Sequence, residues 1–588
     1  MAKNTEQAFE SIRIVGGLLS TKVLQDSRLY KLPGQGKSDY KIEPGLSFNE
    51  EIGRYWRIAQ GRWKEYQQQI AREDISNNTL AQQEWLIPLF NKVLGYEVVK
   101  TDIKVIGERE FPITHTSHND AITMVLCGAD YDLDKGHSQF GQEGRKRSPV
   151  GLAQEYLNAE NSSLWAIVSN GTQLRLLRDN PAMTRPAYIE VDFTRLFDED
   201  NYADFATLWL LLHATRIAPQ NSQVVQCWLE QWRDKGQDDG ERALDNLREG
   251  VEVALRQLGQ GFLSHKDNTQ LRELIANEEV TTNEYFQQIL KLVYRFLFLL
   301  TAEDRNLLLY PEKANEKDFR EARKLYLKGY SISCLRDRAK QKRFYDQHAD
   351  AWQQLLVNFE GFANGQELLA QPALGGLFNS EQCALLETSA ISNKHLYEAI
   401  YNLSYFTMSG VQSRINYRDM DTEEFGSVYE SLLELTPRIN PVGTWSFGFM
   451  GDEEGEEAGA GHSRKLTGSY YTPDSLVQEL IKSALEPVIK DRLQENPQQP
   501  RKAILSIKVC DPACGSGHFL LSASRRLATE LAAIDAGVDQ PTEVHYQHAM
   551  RDVVKKCIYG VDLNPLAFEL CKTGLWLESL EPGKTLSS

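Results

Sequence analysis

Val509-Cys510-Asp511-Pro512-Ala513-Cys514-Gly515-Ser516-Gly517-His518-Phe519 is the stretch from which the rest of this chain can be read. Before it, the run Ala503 to Val509 (AILSIKV) alternates as a strand does and is bounded upstream by Pro497 and Pro500. After it, Phe519, Leu520, Ala523, Leu527, Leu531 and Ile534 fall at helical spacing. A strand, a tight Gly-Ser-Gly turn and a helix without spare residues open a nucleotide-type α/β unit, whose ligands sit at the carboxyl end of the strand. Gly515 and Gly517 lack a Cβ, so the backbone can turn sharply and let a ligand approach its N–H groups.

A dinucleotide site would want a third glycine, but Leu520 stands in its place, and Asp511 at the strand's end would repel a pyrophosphate. An acid beside a glycine turn suits a zwitterion with an ammonium group, which makes S-adenosylmethionine the leading candidate. Downstream, Cys557 to Val561 reads as a second strand with Asp562 at its tip, where a ribose is held. Asn564-Pro565 then opens a helix, an N-cap followed by proline at the first helical position. Upstream, Gly468-Ser469-Tyr470-Tyr471-Thr472-Pro473 leads into a helix expected over Asp474 to Ile489.

These three pieces, G-x-Y-Y-T-P, D-P-A-C-G-S-G-H-F and G-V-D-L-N-P, resemble the cofactor half of the gamma-class N6-adenine DNA methyltransferases over about residues 468–580. More narrowly, they are similar to the long enzymes of type IIG restriction–modification and of phage-exclusion and DISARM-type defence. The resemblance implies a Rossmann-like, S-adenosylmethionine-dependent domain acting on double-stranded DNA. It places Asp511 at the methionine moiety, Gly515 and Gly517 in the turn beneath it, and Asp562 on the ribose. Tyr470, Tyr471 and Thr472 would close the site, with Pro512, Ala513 and Asn564 completing the cofactor set. Family members accept the adenine amine on an N-P-P-Y motif after base flipping. Here Asn-Pro occurs at Asn180, Asn440, Asn496 and Asn564, never with a second proline and an aromatic following. No catalytic residue is therefore assigned. The expectation is an N-terminal and cofactor-binding portion that needs a further segment or a second chain to methylate. The alternative is a non-catalytic DNA-binding or assembly subunit with a vestigial pocket.

The chain has 588 residues, room for several domains at about 150 residues each. Its 41% hydrophobic and 25% charged content is that of an ordinary soluble protein. Apolar runs such as Phe296 to Leu300 are too short to span a membrane, and the opening MAKNTEQAFE lacks the apolar core of a secretory signal. Eight cysteines without a CxxC pair argue against zinc, or any other metal, and for a reducing cytoplasm. Cys510 and Cys514 read as small packing residues. A net charge of −17 argues against non-specific coating of DNA but leaves room for a local basic groove.

Five regions are expected: a helical arm (1–75), a degenerate PD-(D/E)xK nuclease-like domain (76–200), a helical domain (201–440), an acidic glycine-rich linker (441–467) and the incomplete methyltransferase domain (468–588). In the arm, a helix over Phe48 to Arg72 interleaves Arg and Trp, read as an apolar stripe. The second region orders a helix (Leu80 to Leu94), extended stretches, a helix near Leu152 to Leu157 and a hairpin on Asn170-Gly171. Its acids Asp120, Asp130, Asp132 and Asp134 lie near Lys135, yet no acid-x-lysine follows, so an inactive fold is expected. Glu284 to Leu300 reads as a buried helical spine, and Thr422 to Pro437 as a short helix stopped by proline. Ten Lys and Arg with interleaved aromatics between Lys317 and Arg343 form the best DNA-backbone candidate, represented by Arg323, Lys324, Lys328, Arg336, Arg338 and Lys340.

Overall fold

The computed structural model describes residues 9–15, 18–70, 76–107, 109–142, 145–160, 163–179, 187–218, 226–310, 317–408, 411–418, 420, 426, 435–441, 445–450, 472, 474–537, 543–581 and 583–584. It is a mixed α/β chain forming two compact units. One comprises Met1–Asp239 with Ala532–His545, the other Gly240–Leu531 with Tyr546–Ser588. Residues 240–531 thus share a unit with residues 546–588, most of the methylase-like segment.

The first unit is built on a seven-stranded sheet of β1 (Ile12–Val15), β2 (Val99–Lys100), β3 (His115–Ser117), β4 (Ile122–Leu126), β5 (Trp165–Ser169), β6 (Gln173–Arg178) and β7 (Tyr188–Asp192). Its order is β1-β7-β6-β5-β4-β3-β2. All pairings are antiparallel except β4 with β5, which run parallel in the register Ile122↔Trp165 to Leu126↔Ser169. A parallel pair needs a crossover, and the helix α3 (Pro149–Ala159) supplies it, begun by Ser148 as N-cap and Pro149. Every residue of β4 is buried: Ile122, Met124 and Leu126 join one core and Val125 the other. Coverage on both faces explains why this strand reads as continuously apolar. The β5–β6 hairpin turns on Asn170-Gly171, with Gly171 at φ +88° and the Asn170 Oδ1 accepting from Thr172 and Gln173.

Against this sheet lie α1 (Phe48–Ile70) and α2, which runs from Asn77–Leu80 through the wider turns Ala81–Leu86 and Leu89–Val93. Trp56 and Trp63 are buried, so the Arg/Trp pattern is an apolar stripe with its arginines outside.

In the second unit, α4 (Thr282–Asp304) is the expected spine, opened by a Thr281–Glu284 capping box. Its Arg295 is wholly buried but fully satisfied, pairing with Glu387 at 2.6 Å and donating to the carbonyls of Leu377 and Asn379. Most of Thr422 to Pro437 lies outside the described residues, as do residues 451–467 of the linker; Pro437 itself begins a short strand, Pro437–Asn440. Further on come α5 (Lys317–Leu325), α6 (Ile332–Ala339) and α7, formed by Asp474–Leu480, Ile481–Leu485 and Glu486–Glu495 in succession. The last extends past the expected end at Ile489.

One expectation fails at the motif itself. Ala503 to Leu505 belong to a short helix, α8 (Pro500–Leu505), and only Val509–Asp511 form the strand β8. Pro500 in the first turn favours a helix start, and Ala503 and Ile504 bury on one side of it. The helix α9 (His518–Ala536) follows the glycine turn; then come α10 (Glu543–Cys557), β9 (Ile558–Gly560) and α11 (Pro565–Ser579). β8 and β9 pair in parallel, Val509↔Ile558 to Asp511↔Gly560. Leu570, Trp576, Leu577 and Leu580 at the end of this segment join the core that contains α4.

Candidate cofactor site at two strand ends

Asp511 is the last paired residue of β8 and Asp562 stands two residues beyond the end of β9, so the two carboxylates lie at the same end of the parallel pair. Each organises backbone. Asp511 Oδ1 accepts from the Ala513 N–H at 3.0 Å, closing the first turn of the loop. Asp562 Oδ2 accepts from the Gly515 N–H at 2.8 Å, and its Oδ1 from the Asn564 N–H at 2.7 Å. The two loops are further stitched by Cys514 N–H to the Val561 carbonyl and Val561 N–H to the Asp511 carbonyl, both 2.9 Å. Asn564 starts α11, its carbonyl accepting from the Phe568 N–H at 3.1 Å.

The two glycines have different physical reasons. Gly517 (φ +91°) lies on the core: a Cβ there would come within 2.6 Å of Cys571 Sγ. Gly515 (φ +53°) has no atom of the described residues within 4 Å of where its Cβ would point. Its side of the turn is open, as a ligand cradle must be. Its N–H is already taken by Asp562, so it is space, and not a free amide, that Gly515 offers. With the amides of Ala513, Cys514, Gly515 and Gly517 all engaged within the loops, this turn is a poor anion nest.

Beneath the turn, Cys514 and Cys571 are buried with Leu520. The hydrogen bond between the thiols lowers Cys514 below the usual thiol range and raises Cys571 above it. Cys514 is thus the packing residue expected, whereas Cys510 is exposed. It shares the uncovered face of the strand pair with Tyr559 (49% exposed), beside Val561 (58%) and Leu563 (103%).

Three features escaped the reading of the residues. His518 is buried with its Nδ1 3.1 Å from the carbonyl of Thr472, the one described residue of the G-x-Y-Y-T-P segment. Tyr470 and Tyr471 lie outside the described residues. Gly426 lies so close to Ser516 that a Cβ would come within 3.1 Å of its Oγ. Arg525 on α9 pairs with Glu578 on α11 at 3.0 Å, both nearly inaccessible, and so ties together the helices that follow the two acidic loops. The position of His518 directly after Gly517 was the available signal for the first; nothing local announces the other two.

The other expected sites separate. Asp120 precedes β4 and ion-pairs with Lys104 at 2.9 Å, while Asp130, Asp132 and Asp134 follow that strand. Asp132 pairs with Lys135 at 3.1 Å and Asp134 with Arg175 at 2.6 Å. The acids grouped by sequence therefore lie at opposite ends of a buried strand. Among the described residues, no three His, Cys, Asp or Glu side chains come together as metal ligands. Of the basic candidates, Arg336 is buried against Asp304, so it cannot contact DNA as placed. Arg323 bonds Asn306, Arg338 bonds Gln354 at 3.3 Å, and the Lys340 ammonium stands 4.5 Å over the Tyr405 ring. Lys324 and Lys328 are exposed. No helix among the described residues is long and apolar enough to cross a membrane.

Residues 457–585 match the N-6 DNA methylase family. A Methanocaldococcus jannaschii protein, whose assigned name combines type II restriction enzyme and methyltransferase, is 24% identical over 240 residues, covering 35% of this chain and 18% of its own. The type II restriction enzyme and methyltransferase RM.Eco57I of Escherichia coli is 26% identical over 337 residues, covering 53% and 31%. The adenine-specific methyltransferase PglX of Streptomyces coelicolor is 24% identical over 190 residues, covering 32% and 14%. The chain thus spans less than a third of the length of each of these relatives.

Proposed function

We propose that this chain, whose residues 457–585 match the N-6 DNA methylase family, is the N-terminal and cofactor-binding part of an S-adenosylmethionine-dependent adenine-N6 DNA methyltransferase of restriction–modification or phage defence. One observation carries the cofactor reading. Two carboxylates at adjacent parallel strand ends have no cationic side chain against them among the described residues, and they flank a glycine whose Cβ side is open. An anionic dinucleotide is disfavoured by the acids and by the engaged loop amides; a ligand with an ammonium group and ribose hydroxyls suits both.

Bound there, the cofactor supplies an electrophilic methyl group on a sulfonium centre. Asp511, with acceptor capacity left after its bond to Ala513, receives the ammonium, and Asp562 receives the ribose hydroxyls on its remaining lone pairs. Pro512, Ala513, Gly517 and Asn564 hold the loop shapes, and Thr472 is fixed to His518; Tyr470 and Tyr471 are assigned to closing the site by the sequence motif alone. Acceptors for the adenine amine are expected from a further segment or a second chain, and the uncovered face of β8–β9 offers a surface for those elements, because parallel strands are ordinarily covered on both faces. Burying side chains such as Tyr559, Val561 and Leu563 is worth about 1.5–3 kcal/mol each. A bound cofactor without those elements leaves the reacting atoms unpositioned, and positioning accounts for about 7–11 kcal/mol of such barriers at most. Residues 76–200 are read as nuclease-like in fold and without cleavage activity.

The test is photolabelling with tritiated S-adenosylmethionine followed by peptide mapping. Label on the peptides around Asp511 or Asp562, displaced by unlabelled S-adenosylhomocysteine and not by NAD or ATP, is expected. Displacement by NAD would end the cofactor assignment. In a parallel assay with phage DNA, methyl groups on cytosine and not on adenine N6 would end the substrate assignment.

A further inference from the structure

Arg320, Lys324 and Lys328 recur every four residues along α5 and the wider turn that continues it, Tyr326–Tyr330, and all three are exposed. They differ from their basic neighbours. Arg323, Arg336, Arg338, Lys340 and Lys342 are each engaged, with Asn306, Asp304, Gln354, the Tyr405 ring and Glu398 respectively. The three stripe cations have no hydrogen-bonded or ion-paired partner among the described residues. On the opposite side of the same helix Phe319 and Tyr326 are buried, so the stripe is fixed outward by its own core contacts.

Beside the stripe stand three leucines that the fold leaves in water: Leu325 (51% exposed), Leu327 (48%) and Leu368 (74%). Leu368 lies on the short turn Glu367–Leu369, which packs against α5. A single exposed leucine needs no explanation, but three grouped beside unpaired cations form a surface of defined chemistry. The helix also widens to a π turn at Tyr326–Tyr330, a local cost that often marks a functional site. The acids on this face are Glu321 and Glu367, both exposed.

We propose that this face docks on duplex DNA, with the three cations on phosphates of one strand and the leucines against the sugar edge of the adjoining groove. The inference rests on DNA being the substrate of the proposed function. Eight helical residues rise about 12 Å, the length of about three to four base pairs at 3.4 Å. The stripe therefore matches successive phosphates on one strand. Apolar side chains inserted at a groove edge recur in proteins that bend DNA.

The experiment is fluorescence anisotropy of a labelled duplex with the full chain over a salt series. Substituting Arg320, Lys324 and Lys328 together by Ala should lower the slope of log affinity against log salt by about 2–3, since each phosphate contact contributes about 0.9. Leu325→Ser with Leu327→Ser should weaken binding several-fold with the slope unchanged. Glu321→Lys should tighten binding and steepen the slope, a gain that misfolding cannot mimic. An unchanged slope in the triple variant, no effect of Glu321→Lys, or no duplex binding by the wild-type chain overturns the proposal. So does selective loss, in the triple variant, of binding to phosphatidylglycerol vesicles and not to DNA. Binding of S-adenosylmethionine is measured on the same samples. Its absence with DNA binding intact would count against the cofactor reading alone.

Discussion

Two parallel strand pairs, one in each unit, follow similar local rules and end in opposite chemistry. β4 runs into Gly128 to Asp134, with one glycine and three acids, and β8 into Asp511 to Gly517, with one acid and two glycines. After β4, Asp134 accepts two hydrogen bonds from Arg175, which also donates to Glu190 at 2.7 Å, and Asp132 closes on Lys135. After β8 and β9, Asp511 and Asp562 hold backbone amides, and no side-chain cation stands against them among the described residues. The first pair is buried on both faces; the second is covered on one. An acid compensated by arginine inside its own domain is structural, whereas an acid that only shapes a loop keeps capacity for a ligand.

The largest expected effect breaks the first half of this contrast. Arg175→Met leaves Asp134 and Glu190 without their shared cation, each at most a quarter exposed. Removing one partner of such a network costs about 3 kcal/mol. Urea unfolding, followed by hydrogen exchange at β4 and β5, should show that loss, with cofactor binding unaffected. A loss of cofactor binding would mean that the two strand pairs are not independent.

The two loop glycines sharpen the second half. Gly517→Ala forces a Cβ onto Cys571 Sγ at a positive φ and should cost about 3 kcal/mol of stability, overpacking and backbone strain together. Gly515→Ala meets no atom of the described residues and should cost only about 1 kcal/mol, from backbone strain. Because its methyl group would enter the open side of the turn, it should nevertheless impair cofactor binding. Equal destabilisation by the two would contradict the assignment of Gly515 to the ligand side.

Asp562→Asn removes the charge and keeps an acceptor for only one of the two loop amides, setting its NH2 against the other. Weakening of S-adenosylmethionine binding by about 1.5–3 kcal/mol, with a modest fall in melting temperature, is the expectation by calorimetry. Binding unaffected by this change would remove Asp562 from the site.

A separate effect, read by pH and not by ligand, is acid sensitivity of the first unit. Burial pushes His115, on β3, down to about 4 and His213 down to about 3. Both stay neutral in the folded chain while the unfolded chain takes up protons below about pH 6.5. Their contribution is therefore complete above that pH and is lost as pH falls toward 4. The urea midpoint of this unit should drop between about pH 7 and 4.5, less so in His115→Asn; a flat profile would contradict the burial of these rings.

Much of this was legible in the residues because it is local. The Asn170-Gly171 hairpin, the Phe48–Ile70 helix, the Gly515 and Gly517 turn and the Asn564-Pro565 helix start depend on side chains within a few positions of one another. The sequence alone also led to the methylase family through the spacing of three short motifs. What it could not decide was set by pairings distant along the chain. Arg175 meets Asp134 across 41 residues, and Arg525 meets Glu578 across 53. Arg336 disappears against Asp304 although it belongs to a basic run, and Ala503 to Leu505 turn into helix because their apolar side has a core to enter. Charge and periodicity state what a side chain can do; only the tertiary structure decides whether an acid meets an arginine or is left facing open space, since desolvation and Coulomb attraction depend on neighbours that the fold brings together.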